Sequence, residues 1–160
     1  MDLGTYFKKG LASRLIETEI PRYTHFFSNT YRENLEHSKF ILEKFPRWSI
    51  VSGYYAMHDV TKLFLAKNFG IKIEYQVHRT TIKILKEIIK DKEILRLLKI
   101  GYKEFIAMAN DLSKAKKERT KAQYYTGTEF MIEKYREKAI IFLNQIAIPY
   151  LAKINNLIEK

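Results

Sequence analysis

The segment RWSIVSGYYAMHDVTKLFLAKNFG, Arg47 to Gly70, decides the fold. A helix turns about 100° per residue, so Val51, Tyr54, His58, Leu65 and Phe69 share one face. Trp48, Tyr55, Asp59, Lys62 and Ala66 share an adjoining face, and Val60, Leu63 and Phe64 take up much of the rest. A helix that is apolar on most sides must be surrounded by its neighbours. This predicts an all-α bundle with the segment as its central buried helix. Val51, Tyr54, Leu65 and Phe69 are the expected core.

Sparse punctuation divides the remaining chain, with six glycines and three prolines in all. Pro21 is expected to close a first helical segment. Thr30 and Glu33 have the spacing of a capping box opening a second helix, which Phe45-Pro46 would end. Gly70 stops the central helix, and the alternating Ile71 to Tyr75 is read as a loop. Thr80 or Thr81 begins a short helix ending near Asp91, which caps a long one from about Lys92 to about Ala122. Tyr124 to Gly127 reads as a turn. Thr128 then caps a last helix toward Lys160, kinked at Pro149. The expectation is one domain over residues 1–160, built of five to six helices.

An apolar fraction of 46% in 160 residues is enough for a sizeable core. The net charge of +11, from 29 Lys plus Arg against 18 Asp plus Glu, favours anionic partners, nucleic acid first. The absence of cysteine excludes disulfides, thiolate catalysis and Cys-ligated zinc, and it fits a reducing, cytoplasmic location. Charges spread through residues 1–20 leave no apolar signal core, and the longest aliphatic run, Ala139 to Leu143, is too short for a bilayer. No membrane association is expected. No glycine pattern matches a phosphate-binding or dinucleotide loop, and no serine lies in a nucleophile elbow, so no cofactor is expected. None of the four histidines has a Glu three residues before it, which argues against a di-iron bundle. His58-Asp59 resembles the adjacent pair of metal-dependent HD phosphohydrolases, which need a further His and Asp. A histidine on a buried face is more commonly a hydrogen-bonded core residue, so no metal site is assigned.

The stretch Arg47 to His58, with its small residue, paired aromatics and Ala-Met before a polar position, resembles the central helix of HEPN domains. Val77-His78-Arg79-Thr80-Thr81 and Lys116-Lys117-Glu118-Arg119 followed by Gln123-Tyr124-Tyr125 fit the same family in order, over about Asn29 to Ala147. The resemblance implies a helical bundle that pairs as a homodimer and is associated with RNA. Many HEPN domains are metal-independent ribonucleases carrying an Arg, four to six residues, then a His. Here Arg119 takes the arginine's place and Tyr124 stands where the histidine would. Imidazole exchanges a proton near neutral pH, whereas a phenol of pKa about 10 is a poor base. Arg119 would stabilise charge on phosphorus, and Tyr124 would at best position the nucleophile or protonate a leaving oxygen. A literal Arg-x4-His, Arg32 and His37, sits inside the second helix, where residues five apart diverge by about 140° and cannot converge on one phosphate.

Around Arg119 lie Lys114, Lys116, Lys117 and Lys121, with Glu118 the only acid among residues 112–123. Cations in a last turn also complement the helix dipole and sit in solvent. The resemblance and the net charge favour a phosphate-binding patch, joined by Gln123 and by Tyr125, which could stack on bases. Three functions follow. One is a weak or degenerate metal-independent ribonuclease, and the second is a non-catalytic nucleic-acid or protein binding module. The third is a toxin–antitoxin-type partner of a separately encoded nucleotidyltransferase, with Tyr124 or Tyr125 as AMP acceptor.

Overall fold

The computed structural model describes the backbone of residues 2–118 and 128–158, and their side chains except at 109, 111–118 and 128–132. In chain order the elements begin with α1 (Leu3–Lys8), β1 (Ala12–Arg14), α2 (Ile20–Ile41) and α3 (Pro46–Phe69). Next come β2 (Ile71–Ile73), α4 (Val77–Ile88) and α5 (Lys92–Glu118). Then α6 (Thr128–Phe142) passes through a π-helical turn (Leu143–Ala147) into α7 (Ile148–Leu157). The protein is an all-α helical bundle with a single small two-stranded sheet among the described residues. No described helix is long and apolar enough to cross a membrane.

α3 lies at the centre, with 16 of its 24 residues buried, and packs against α2, α4, α5, α6 and α7. The α2–α3 contact is drawn tight by small residues. Ser38 Oγ donates to the Ser49 carbonyl and Ser49 Oγ to the Ser38 carbonyl, each at 2.7 Å. One turn on, a Cβ at Gly53 would sit 2.9 Å from Phe142 Cε1 and 3.2 Å from Ser38 Oγ, so this three-helix junction has room only for glycine. On the opposite flank, Thr61 Oγ1 donates to the Met57 carbonyl and shares a 2.6 Å hydrogen bond with the buried Tyr150 of α7. Asn68 Nδ2 donates to the Leu157 carbonyl at 2.8 Å, tying the ends of α3 and α7.

Several expectations need correction, the first of them at Pro21. Pro21 and Pro46 lie in the first two positions of α2 and α3, where the missing N–H costs nothing and the fixed φ is already helical; Pro149 is the second residue of α7. Pro21 therefore opens α2 instead of closing a segment. Thr30 lies inside that helix, so its spacing to Glu33 is no capping box. The π-helical turn sits directly before Pro149, where freed backbone groups can be absorbed without a break. α4 begins at Val77, ahead of Thr80 and Thr81.

Ile71 to Ile73 is a strand, not a loop, pairing antiparallel with β1 in the register Ala12–Ile73, Ser13–Lys72 and Arg14–Ile71. It is positioned by Gly70, whose left-handed φ of 61° caps α3 and turns the chain back. Arg14 donates to the Phe69 carbonyl at 2.7 Å, so the N-terminal arm is strapped over the end of α3.

Two further readings hold. Gly70 ends the central helix, and Asp91 caps α5, its Oδ1 accepting from the amides of Glu93 and Ile94 at 2.8 and 3.2 Å. In the expected core, Tyr54 and Leu65 are fully buried, but Val51 is half-buried and Phe69 is 38% exposed. Phe69 ends its helix, where there is no further turn to cover it. Leu65→Ala should accordingly cost about 2–5 kcal/mol in urea unfolding through lost burial and a cavity. Phe69→Ala should cost clearly less. Equal losses would contradict this assignment of the core.

Candidate functional site

Lys114, Lys116 and Lys117 belong to the last turns of α5, and their side chains lie outside the described residues. Arg119, Lys121, Gln123, Tyr124 and Tyr125 lie outside the described residues altogether, as does the turn expected at 124–127. The earlier turns of α5 are described, and they form one wall of a ring cluster that sequence reasoning missed.

The cluster joins three helices. Tyr54 and Tyr55 come from the middle of α3, His78 from the first turn of α4, and Tyr102 and Phe105 from α5. Tyr54 stacks on Phe105 at 4.6 Å between centroids, and Tyr55 meets Phe105 edge-on at 5.6 Å. His78 lies 5.3 Å from Phe105 and 4.6 Å from the ring of His58. Tyr54 Oη and His78 Nδ1 share a 3.0 Å hydrogen bond that fixes the imidazole. Burial raises the Tyr54 phenol above its ordinary value, so it stays protonated and cannot serve as a base. Burial and the Lys62 charge lower His78, which is then a neutral imidazole near pH 7. Only Tyr55 is exposed, the other rings being buried or half-buried. The cluster is suited to positioning α4 and α5 and to offering a ring edge, not to proton transfer. Its signal in the sequence was faint: Tyr102 and Phe105 are three apart on one helix face, and His78 follows a turn.

Beneath it lies the His58-Asp59 pair. Asn34 Nδ2 of α2 donates to Asp59 Oδ2 at 3.1 Å. The Thr30 hydroxyl is near enough to favour the ionised carboxylate but falls outside hydrogen-bond geometry. Burial raises Asp59, opposed by the Lys62 charge and these α2 groups. His58 Nδ1 lies 3.9 Å from Asp59 Oδ1, too far for a hydrogen bond, and the buried Nε2 has no partner among the described residues. Burial pushes His58 well below its ordinary 6.5, reinforced by Lys62 and His78, while the Val77 backbone opposes. No group of three or more His, Cys, Asp or Glu that could hold a metal is gathered among the described residues. A second imidazole, His78, does stand 4.6 Å from His58, but among the described residues no further carboxylate joins them, and the partner of Asp59 is an amide.

Arg32 and His37 do diverge. Arg32 Nε donates to Tyr31 Oη at 3.2 Å, whereas His37 Nδ1 shares a 2.7 Å hydrogen bond with Ser52 on α3. Comparison with family models, with curated proteins and with solved structures returned no match to this chain.

The buried imidazole makes stability depend on pH in a definite direction. Between its depressed folded pKa and 6.5, the unfolded chain binds a proton at His58 that the folded chain does not, so stability is lost as pH falls through that window. The raised Asp59 acts in the opposite sense, nearer the carboxylate range. Urea midpoints followed from about pH 7.5 to about pH 5 should fall, with at most about 1.4 kcal/mol per pH unit due to His58. His58→Gln should flatten that slope. A parent whose stability is flat across the range would contradict a neutral buried His58.

Proposed function

We propose that this chain is an RNA-associated protein of the HEPN type, a homodimer and a weak or degenerate metal-independent ribonuclease. The observation that carries the reading is the net charge of +11 on an all-α bundle arranged around one buried central helix. The HEPN resemblance of that helix, and of the segments at 77–81 and 116–125, adds to it. The phosphate-binding set is Lys114, Lys116, Lys117, Arg119, Lys121 and Gln123, with Tyr125 as a stacking ring. If RNA is cleaved, Arg119 stabilises the charge that builds on phosphorus as the ribose 2′-OH attacks. Tyr124 is poorly matched to the general-base role, where a positioned His is typically worth about 10²–10⁴-fold.

A second reading, a non-catalytic binding module or a regulatory partner of a nucleotidyltransferase, is favoured by that same Tyr124. In the partner case Tyr124 or Tyr125 would accept AMP.

An RNA cleavage assay with and without EDTA separates these. Slow cleavage insensitive to EDTA, abolished by Arg119→Ala and raised by Tyr124→His, is the result expected of a degenerate nuclease. No cleavage by parent or Tyr124→His leaves the binding reading. Cleavage that EDTA abolishes would contradict the metal-independent mechanism.

A further inference from the structure

The outer faces of α4 and α5 repeat one pattern. On α4 and just beyond it, Arg79, Lys83, Lys86 and Lys90 are spaced by four, three and four residues. On α5, Lys92, Arg96, Lys99 and Lys103 have the same spacing. Within a helix such positions fall in an arc of about 60°, so Arg79, Lys83 and Lys86 form one ridge and the four of α5 another, with Lys90 in the connection between them. Burial places both ridges on the wet side. Thr80, Thr81, Ile82, Ile84 and Leu85 are buried beneath the first, and Ile94, Leu97 and Leu98 beneath the second. All eight cations are exposed except Lys83, which is half-buried.

Residues 77–103 hold eight basic and three acidic residues, five of the chain's eleven net positive charges in 27 positions. The acids do little to neutralise the ridges. Asp91 is occupied in capping α5, and Glu93 pairs with Arg96 in an exposed bridge of 2.7 Å, a weak interaction in water. Glu87, the only acid on α4, is close enough to Tyr6 to disfavour ionisation of its phenol. No ion pair to Arg79, Lys83, Lys86, Lys90, Lys99 or Lys103 is found among the described residues.

This arrangement works against the helices that carry it. Like charges three and four apart repel, and Arg79 stands in the first turn of α4, where no acid offsets its conflict with the helix dipole. Charge placed against local stability in this way marks a surface whose compensation comes from a bound anion. α4 and α5 pack on one another and both on α3, so the ridges lie on neighbouring helices. The second spans about 17 Å, long enough to meet several phosphates of one strand.

We propose that the α4–α5 ridges bind the phosphate backbone of single-stranded RNA without reading bases, as a surface separate from the Lys114–Lys121 cluster. The inference rests on the RNA-associated reading above. A lipid surface fits less well, because no large apolar side chain is exposed between residues 77 and 103 to insert beside the cations.

The test uses a fluorescent single-stranded RNA of mixed sequence, titrated with the full chain over a range of KCl concentrations. One variant replaces Lys83, Lys86, Lys99 and Lys103 with Gln. A control replaces the exposed Lys8, Lys9, Lys67 and Lys138 with Gln, removing equal charge elsewhere. Circular dichroism confirms that both fold. The ridge variant should bind more weakly and flatten the log–log salt slope by about 2–3, at roughly 0.7 per lost phosphate contact, while the control stays near the parent. Equal losses in both variants would mean general charge attraction and overturn the proposal. A parent that binds, with a ridge variant that binds identically, overturns it while leaving the RNA reading intact. A parent that binds no RNA overturns both. If the ridge variant keeps RNA binding but loses binding to phosphatidylserine vesicles, the surface belongs to a membrane and the proposal falls.

Discussion

Everything in this fold depends on α3 being buried over most of its surface, with only a narrow stripe through Trp48, Tyr55 and Phe69 reaching solvent. A helix buried on one stripe can be satisfied by a single partner, whereas this one needs neighbours around most of its circumference. The burial is made possible at particular points. Ser38, Ser49 and Gly53 let α2 and Phe142 come close. The hydroxyl of Thr61 is turned onto its own helix and onto Tyr150, so it is buried without being left unpaired. Each surrounding helix is then obliged to be amphipathic, with one side against α3 and the other in water. The charge of the protein is expelled onto those outer sides, and the paired ridges of α4 and α5 are the most regular result.

Asp59 and His58 are the two groups that strain this scheme. The carboxylate is tolerated because α2 meets it with Asn34 and because Lys62 lies nearby, its ammonium 4.8 Å from the Phe27 ring. The imidazole is tolerated by remaining neutral. Stacked among Tyr54 and His78, it behaves as an aromatic core residue with an unpartnered nitrogen. A hydrogen-bonded core histidine was the expectation; the Val77 backbone supplies a polar contact, and ring contacts surround the rest. Adjacency of His and Asp along the chain is poor evidence of shared chemistry, since neighbours on a helix point about 100° apart.

The fold was legible wherever a pattern ran long enough to average out local accidents. Arg47 to Phe69 is an example, and so is Asp91, whose capping role follows from position and chemistry together. Pro21 was misread because the same residue that ends one helix is well suited to begin the next, and only the flanking periodicity can decide. The strand at Ile71 to Ile73 was missed because three residues carry little periodic signal and their partner at Ala12 to Arg14 lies far away in sequence. For the candidate site, a ring cluster assembled from three helices leaves no contiguous motif, while residues 119–125, singled out by a family resemblance, lie outside the described residues.

α3 should be the last element to open, because the helices packed around it must leave before its amides meet water. Native-state hydrogen exchange read residue by residue tests this most directly. Amides from Ile50 to Ala66 should exchange only through global unfolding, with one common free energy that falls with denaturant as the whole protein's does. Those of α4 and of the N-terminal arm should open at lower energies. α3 amides that exchange through local openings, or faster than those of α4, would contradict the claim.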